Sequence, residues 1–134
     1  MRILVTGSRD WGNYDLIASV LVNAVRDYMH EHPDLQQPVS DWVTVVHGAC
    51  PTGADFMADD FCRANYWPVE RHPAAWKMYG RRAGPLRNRE MVKAGADICL
   101  AFIKNGSKGA TMTARLAEQA GIPTKRYLVE TSDK

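Results

Sequence analysis

Two patterns of apolar and polar residues alternate along this chain, and their order predicts the fold. Continuous apolar runs at residues 2–6, 42–46 and 97–102 are typical of strands that are buried on both faces of a sheet. Weaker runs at 68–72 and 124–129 complete five predicted strands. The mixed polarity of 68–72 favours a position near the edge of the sheet.

Helical patterns separate these strands. Apolar residues recur at helical spacing within residues 16–29, and Asn13 is the expected N-cap of that helix. A second apolar stripe covers residues 54–62. Near the start of this stripe, Asp55 stands three residues after Thr52. This is the spacing of an N-cap residue and its acidic partner, and it predicts a variant of the capping box.

The second half of the chain contains one long connection and two further helical patterns. Residues 73–84 form a connection that is long for a compact domain, and such connections tend to be functional or disordered. A short helix is predicted at 86–94, with Pro85 at its first position. The alanine-rich segment 110–120 predicts another helix, which ends at Gly121.

Strands and helices therefore alternate through the whole sequence. This order predicts an α/β protein with a five-stranded, mainly parallel sheet and helices on both faces, which is a three-layer sandwich. A length of 134 residues fits a single domain spanning 1–134. Residues 130–134 are expected to form a short frayed tail.

Composition narrows the classes of function. The formal net charge of +2 is too small to indicate nucleic acid as a partner. Four arginines lie within nine residues. Such a cluster is compatible either with a solvated basic face or with a site that binds an anion. These arginines are Arg81, Arg82, Arg87 and Arg89. No apolar stretch approaches the length of a membrane span, and no membrane association is expected.

The three cysteines, Cys50, Cys62 and Cys99, are odd in number and widely spaced. This pattern favours reduced thiols and a cytoplasmic location over a disulfide framework. His47 and Cys50 lack the further ligands that a zinc site needs, so no metal is predicted. Cys50 would act as a nucleophile only with a lowered pKa and a nearby base.

Loops that follow parallel strands open at the same edge of the sheet, where α/β proteins bind their ligands. Residues 7–11 supply glycine and serine amides together with the guanidinium of Arg9. The turns at 48–53 and 106–109 each lead into a helix N-terminus, where amides and the helix dipole favour a phosphate or carboxylate. Neither turn matches the dinucleotide or Walker fingerprints, so no resident cofactor is predicted.

Three further side chains are candidates for contact with a ligand, and two of them have an alternative structural role. Arg87 either clamps a phosphate or pairs with Glu90 or Asp55. Asn88 in the same helix is suited to a base or ribose edge. Trp76 either stacks on a base or packs the long connection onto the sheet.

Four segments of the sequence together resemble the YspA-like branch of the SLOG superfamily. They are residues 7–11, residues 47–55, Trp76 with residues 79–80 and 83–91, and residues 109–111 with 120–123. The run Ala-Gly-Pro-Leu-Arg-Asn is their most specific part. The resemblance implies a Rossmann-like domain that binds a nucleotide or a nucleotide-derived ligand. It also implies self-association through an exposed helix face, and hence a homodimer.

The enzymatic relatives within that superfamily are the LOG phosphoribohydrolases, which cut the N-glycosidic bond of a nucleoside monophosphate. Arg87 stands four residues before Met91, as in their pattern. The turn at 105–110 departs from their Pro-Gly-Gly-x-Gly-Thr motif, and Thr113 occupies the place of their glutamate. An oxocarbenium-like transition state needs a carboxylate nearby. The catalytic candidates are therefore Arg87, Asp10 and Asp55.

Three functions follow from these patterns. The first is binding of a nucleotide-like phosphate ligand, with a sensor as one form of it. The second is a nucleotide N-glycosidase, and the third is a nucleic-acid-binding module, against which the small net charge argues. Ligand contacts are expected from Gly7, Ser8, Arg9, Asp10, Gly48, Thr52, Gly53, Asp55, Trp76, Arg87, Asn88, Gly106, Ser107, Gly109 and Thr111.

Overall fold

A computed structural model describes residues 1–131 of this protein. The strands are β1 (Arg2–Gly7), β2 (Thr44–His47), β3 (Val69–Arg71), β4 (Ile98–Lys104) and β5 (Thr124–Val129). The helices are α1 (Tyr14–Glu31), α2 (Gly53–Ala64), α3 (Trp76–Tyr79), α4 (Ala83–Ala94) and α5 (Lys108–Gln119). Short 3-10 turns cover Val39–Asp41 and Gly80–Arg82. The end of the predicted tail, residues 132–134, lies outside the described range.

The five strands form one parallel sheet in the order β3-β2-β1-β4-β5. The predicted five-stranded sheet is therefore confirmed, and β3 lies at an edge as expected. From β1 the chain first extends the sheet through β2 to β3 and later returns to place β4 on the other side of β1. This reversal creates a topological switch point between β1 and β4, where ligands of open α/β sheets bind.

Alternate residues of the strands face two helical layers. Ile3 and Val5 of β1 join a core with the apolar faces of α1 and α2. Leu4, the residue between them, packs in a second cluster with Met91 of α4 and Ala117 of α5. Each such fully buried aliphatic side chain contributes about 1.5–3 kcal/mol to folding. The helices thus cover both faces of the sheet, which confirms the Rossmann-like three-layer architecture.

Of the two predicted N-caps, one is confirmed and one is wrong. Asn13 caps α1 as predicted, since its Oδ1 accepts from the Leu16 amide at 3.0 Å. Thr52 precedes α2 but makes no side-chain cap, and its hydroxyl donates to the carbonyl of Arg9 at 2.9 Å. Asp55 accepts from the amide of Cys50 at 3.3 Å, so the predicted capping box is wrong.

The connection after β3 is more regular than predicted. The residues from Trp76 onward form α3 and a 3-10 turn that runs directly into α4, which begins at Ala83. Pro85 is therefore the third residue of α4 and not its first. The position tolerates proline because amides in the first turn of a helix have no intrahelical acceptor.

The cysteines are free thiols, as expected. Burial raises the pKa of Cys62 and of Cys99 to about 12, so both are un-ionised in neutral solution.

No helix within residues 1–131 has the length and apolar character needed to cross a membrane.

A charged cluster joins the starting end of β1 to β3. Nη1 and Nη2 of Arg2 each donate to Glu70 at 2.9 Å, and Nε2 of His72 lies 2.7 Å from the same carboxylate. The hydrogen bonds from Arg2, and to a smaller extent from His72, lower the pKa of Glu70 to about 2. Burial raises this pKa, but its effect is smaller. Glu70 therefore stabilises the fold mainly in its ionised form.

Acid is expected to destabilise the protein through Glu70. Because its pKa is lower in the folded than in the unfolded state, its contribution is present above about pH 4.5 and is lost as the pH falls towards about 2. Urea unfolding at stepped pH should show the free energy of unfolding declining over this range. Glu70→Gln should decline less steeply than the wild type, and identical slopes for the two proteins would contradict this assignment.

Candidate functional site

A cavity of about 600 Å³ opens at the carboxyl edge of the sheet, beside the switch point. Its volume is within the range of sites that bind small molecules. Five segments line it: the end of β1 with the loop that follows, the loop between β2 and α2 with the start of α2, Trp76 of α3, the first half of α4, and the start of α5. Ten residues expected from the sequence line this cavity, namely Gly7, Arg9, Asp10, Gly48, Asp55, Trp76, Arg87, Asn88, Ser107 and Gly109.

Close packing of two loops fixes one wall of the cavity. Gly53 has a φ of +74°, and a Cβ at this position would lie 2.2 Å from the carbonyl oxygen of Ser8. A Cβ on Gly7 would lie 2.3 Å from Cβ of Ala54. Only glycine fits at both positions. The atom that blocks Gly53 belongs to the backbone, and a Cβ on Gly7 would also lie 2.8 Å from the backbone carbonyl oxygen of Phe102 in β4.

Ser8, Gly53 and Thr52 therefore support the site without lining it. The Ser8 hydroxyl accepts from the amide of Lys104 at 2.8 Å, which ties the β1 loop to the end of β4. The Thr52 hydroxyl holds the carbonyl of Arg9 from the other side. These residues were expected to contact the ligand, and the structure assigns their polar groups to holding the loop.

Arg87 reaches from α4 beneath the β2 loop. Its Nη1 donates to the carbonyls of Gly48 and His72, the latter at 3.3 Å, and its Nε donates to Oδ1 of Asn88 at 2.8 Å. These acceptors are neutral, and among residues 1–131 no hydrogen bond joins Arg87 to Glu90 or Asp55. Its charge is therefore not neutralised by a partner, and it lines the cavity as a free cation.

Two further polar side chains in the cavity are more than nine-tenths buried. Asp55 is 5% exposed, and its Oδ2 accepts from the amide of Cys50 at 3.3 Å. Asn88 is 7% exposed, and its Oδ1 is occupied by Arg87. Within residues 1–131 no fully enclosed side-chain nitrogen or oxygen lacks a partner. Asp55 Oδ1 and Asn88 Nδ2 have no protein partner there, so they must be accessible from the cavity.

Cys50 lines the cavity, but its environment does not activate it. Burial raises the pKa of its thiol, and the neighbouring charge and hydrogen bond of Asp55 raise it further. The positive charges of Arg87 and Arg9 oppose this change only in part. A nucleophilic cysteine needs the opposite shift, so Cys50 fails the condition set from the sequence.

His47 is a structural residue of the β2 loop. Its ring is buried, with Nε2 2.7 Å from Asp59 and Nδ1 accepting from the amide of Ala49 at 2.9 Å. Burial opposes ionisation of Asp59, but hydrogen bonds from Arg71, His47 and Arg63 outweigh it and hold its pKa well below the usual value. The ring thereby supports Ala49, whose φ is +58°. Both nitrogens are thus occupied within the protein, away from the cavity.

The start of α5 supplies the positive end of a helix dipole to the cavity. Ser107 precedes the helix without making a side-chain cap, and Lys108, Gly109 and Ala110 of its first turn line the cavity. Amides in a first helical turn have no intrahelical acceptor, so they are available to an anion. Gly106 and Thr111 were expected here as well but lie outside the lining.

The cavity lining also contains an aromatic ring with a cation beside it. Trp76 is about half exposed, and Cζ of Arg9 lies 5.7 Å from the centroid of its ring. Asp10 is exposed and lies 3.9 Å from Nζ of Lys104. The remaining arginines of the basic cluster, Arg81, Arg82 and Arg89, are exposed and do not line the cavity.

Sequence reasoning missed eight lining residues, which are Thr6, Cys50, Gly84, Pro85, Met91, Lys108, Ala110 and Met112. Lys108 was detectable, since it stands in the second glycine-rich turn. Thr113, which takes the place of the glutamate of the LOG enzymes, is fully buried, and its hydroxyl donates to the Gly109 carbonyl at 3.1 Å. It therefore supplies no group to the cavity.

Comparison with known proteins identifies the family. The family model described as "YspA, cpYpsA-related SLOG family" matches residues 1–79. The Gene 61 protein of Mycobacterium phage D29 is 40% identical over 132 residues, which cover 94% of this chain and 95% of that protein. No solved structure matches this chain. The chain belongs to the YspA, cpYpsA-related SLOG family.

Proposed function

We propose that the cavity binds the phosphate group of a nucleotide or of a nucleotide-derived ligand. One observation carries this proposal: the unneutralised guanidinium of Arg87 and the free N-terminus of α5 line the same cavity. A guanidinium and a set of helix amides together match the charge and the several acceptor oxygens of a phosphate.

The distribution of charge supports an anionic ligand. Arg9 and Lys108 add two cations to the lining. Of the two carboxylates in the lining, Asp10 is exposed near Lys104, and Asp55 is buried beside Cys50. The cations thus outnumber the carboxylates, and the low polarisability of the surrounding protein strengthens their attraction for a phosphate.

Trp76 supports a ligand that also carries a base. The indole ring is accessible at the mouth of the cavity, and Arg9 lies against it. Any of the nucleobases can stack on such a ring, because each has a flat aromatic face. Phosphate at the start of α5 and base at Trp76 together describe a nucleotide.

Nucleoside monophosphates are expected to raise the melting temperature of the protein. At a ligand concentration of one hundred times Kd, the stabilisation is about 2.7 kcal/mol, which corresponds to a shift on the order of 10 °C. Thermal unfolding followed with AMP, GMP, CMP and UMP tests this. The corresponding nucleosides, which lack the phosphate, are the control, and equal shifts with nucleosides and nucleotides would refute phosphate recognition.

An N-glycosidase is the second candidate, because Asp10 and Asp55 line the same cavity as Arg87. In such a reaction Arg87 would hold the phosphate, and one carboxylate would activate water or stabilise the developing positive charge on the sugar. Incubation with the four monophosphates followed by chromatography tests this candidate. Release of free base that Asp55→Asn or Asp10→Asn abolishes would support it, and no release from any of them would exclude it for these substrates.

A further inference from the structure

We infer that the site selects ribose over 2′-deoxyribose, and that Asp55 and Asn88 are the residues that recognise the sugar. This inference rests on the proposed phosphate-binding function and specifies the class of ligand. It is drawn from two buried polar side chains that have unused hydrogen-bonding atoms on the surface of one cavity.

The two side chains have fixed and opposite hydrogen-bonding roles. Oδ2 of Asp55 is held by the amide of Cys50. Oδ1 of Asn88 is held by Nε of Arg87. What remains for a ligand is an acceptor, Asp55 Oδ1, and a donor, Asn88 Nδ2. A ligand that met neither would leave both groups without hydrogen bonds in a largely buried position.

The ligand group that faces these atoms is not the phosphate. A carboxylate repels a phosphate, and the start of α5 and Arg87 already offer the phosphate a more favourable place. A hydroxyl group satisfies both atoms, because it donates to a carboxylate and accepts from an amide nitrogen. A ribose presents two adjacent hydroxyls of this kind.

The position of these side chains also agrees with a sugar. Asp55 and Asn88 are buried in the cavity, whereas Trp76 is about half exposed at its mouth. In a nucleotide the sugar joins the phosphate to the base. A ligand with its phosphate at α5 and its base on Trp76 therefore brings its hydroxyls to the buried part of the cavity.

The direct test uses the unaltered protein and two ligands without a base. Ribose 5-phosphate is expected to bind at least about tenfold more tightly than 2-deoxyribose 5-phosphate, because a hydroxyl bonded to a carboxylate is lost. Isothermal titration calorimetry measures both affinities, with inorganic phosphate as a third probe. Equal affinities for the two sugar phosphates overturn the inference and leave the proposed function standing. Absence of binding by all three probes overturns the proposed function itself.

A pair of variants assigns the selectivity to Asp55. Asp55→Asn keeps the size of the side chain but removes its charge, and we expect the preference for ribose 5-phosphate to fall to within about threefold. Asp60→Asn is the matched control, since Asp60 lies on the same helix, has a half-exposed side chain and lies outside the cavity lining. It should keep the full preference. An undiminished preference in Asp55→Asn would remove Asp55 from sugar recognition.

Discussion

Replacing Arg87 with alanine is expected to remove most of the stabilisation of the protein by nucleoside monophosphates. The side chain supplies a cation to the cavity that no carboxylate of the described chain neutralises. Loss of a charge-assisted contact to phosphate weakens binding by about 2–3 kcal/mol, which is a factor of roughly 30 to 150. Thermal unfolding of the variant with and without AMP measures the effect.

Arg87→Ala also removes hydrogen bonds to the carbonyls of Gly48 and His72, so the variant without ligand should melt at a lower temperature than the wild type. The relevant quantity is therefore the ligand-induced shift of each protein against its own ligand-free state. Arg89→Ala is the matched control, because Arg89 lies on the same helix but is exposed and outside the cavity lining. A full shift in Arg87→Ala would rule out Arg87 as the phosphate clamp.

Gly53→Ala is expected to be the most destabilising single methyl addition among the glycines of the site. The new Cβ would lie 2.2 Å from the carbonyl oxygen of Ser8 and 2.6 Å from backbone atoms of Arg9, and the backbone has a φ of +74°. The left-handed conformation costs about 1–2 kcal/mol and the overlap about 1–3 kcal/mol more. Urea unfolding should therefore show a loss of about 2–5 kcal/mol.

Two other glycines separate the causes of this loss. Gly106 has a φ of +64° but open space around a Cβ, so Gly106→Ala should cost only the conformational part, about 1–2 kcal/mol. Gly109 lies in the first turn of α5 with open space and no positive φ, so Gly109→Ala should be neutral or slightly stabilising. A loss in Gly53→Ala no larger than that in Gly106→Ala would show that the loops can move apart.

The sheet could be predicted well because each strand is determined by a short stretch of the sequence. β5 was predicted with the bounds it has, and the predicted first strand differs by one residue. Buried strands need continuous apolar runs, and turns at their ends need glycine, so both features appear in short stretches of sequence. The start of α4 was less predictable. A 3-10 turn leads into this helix at Ala83, two residues before the proline that was expected to start it.

The site was predictable in its outline but not in the roles of its side chains. That Arg87 and Gly109 share a cavity follows from the rule that parallel strands present their loops at one edge. The structural roles of two hydroxyl groups depend on partners that are distant in the sequence. The Thr52 hydroxyl donates to the carbonyl of Arg9, and the Ser8 hydroxyl accepts from the amide of Lys104, 96 residues away. Local sequence carries no record of such pairings.

Within residues 1–131 the sheet ends in β3 and β5, and each of these strands has a row of backbone groups without a neighbouring strand. β5 carries Lys125 and Arg126, which are exposed, and β3 carries Glu70 and Arg71. Charged side chains on an edge strand discourage pairing with another sheet, since like charges would be brought together in the joined ladder. Two copies of this chain should therefore resist pairing edge to edge through β5.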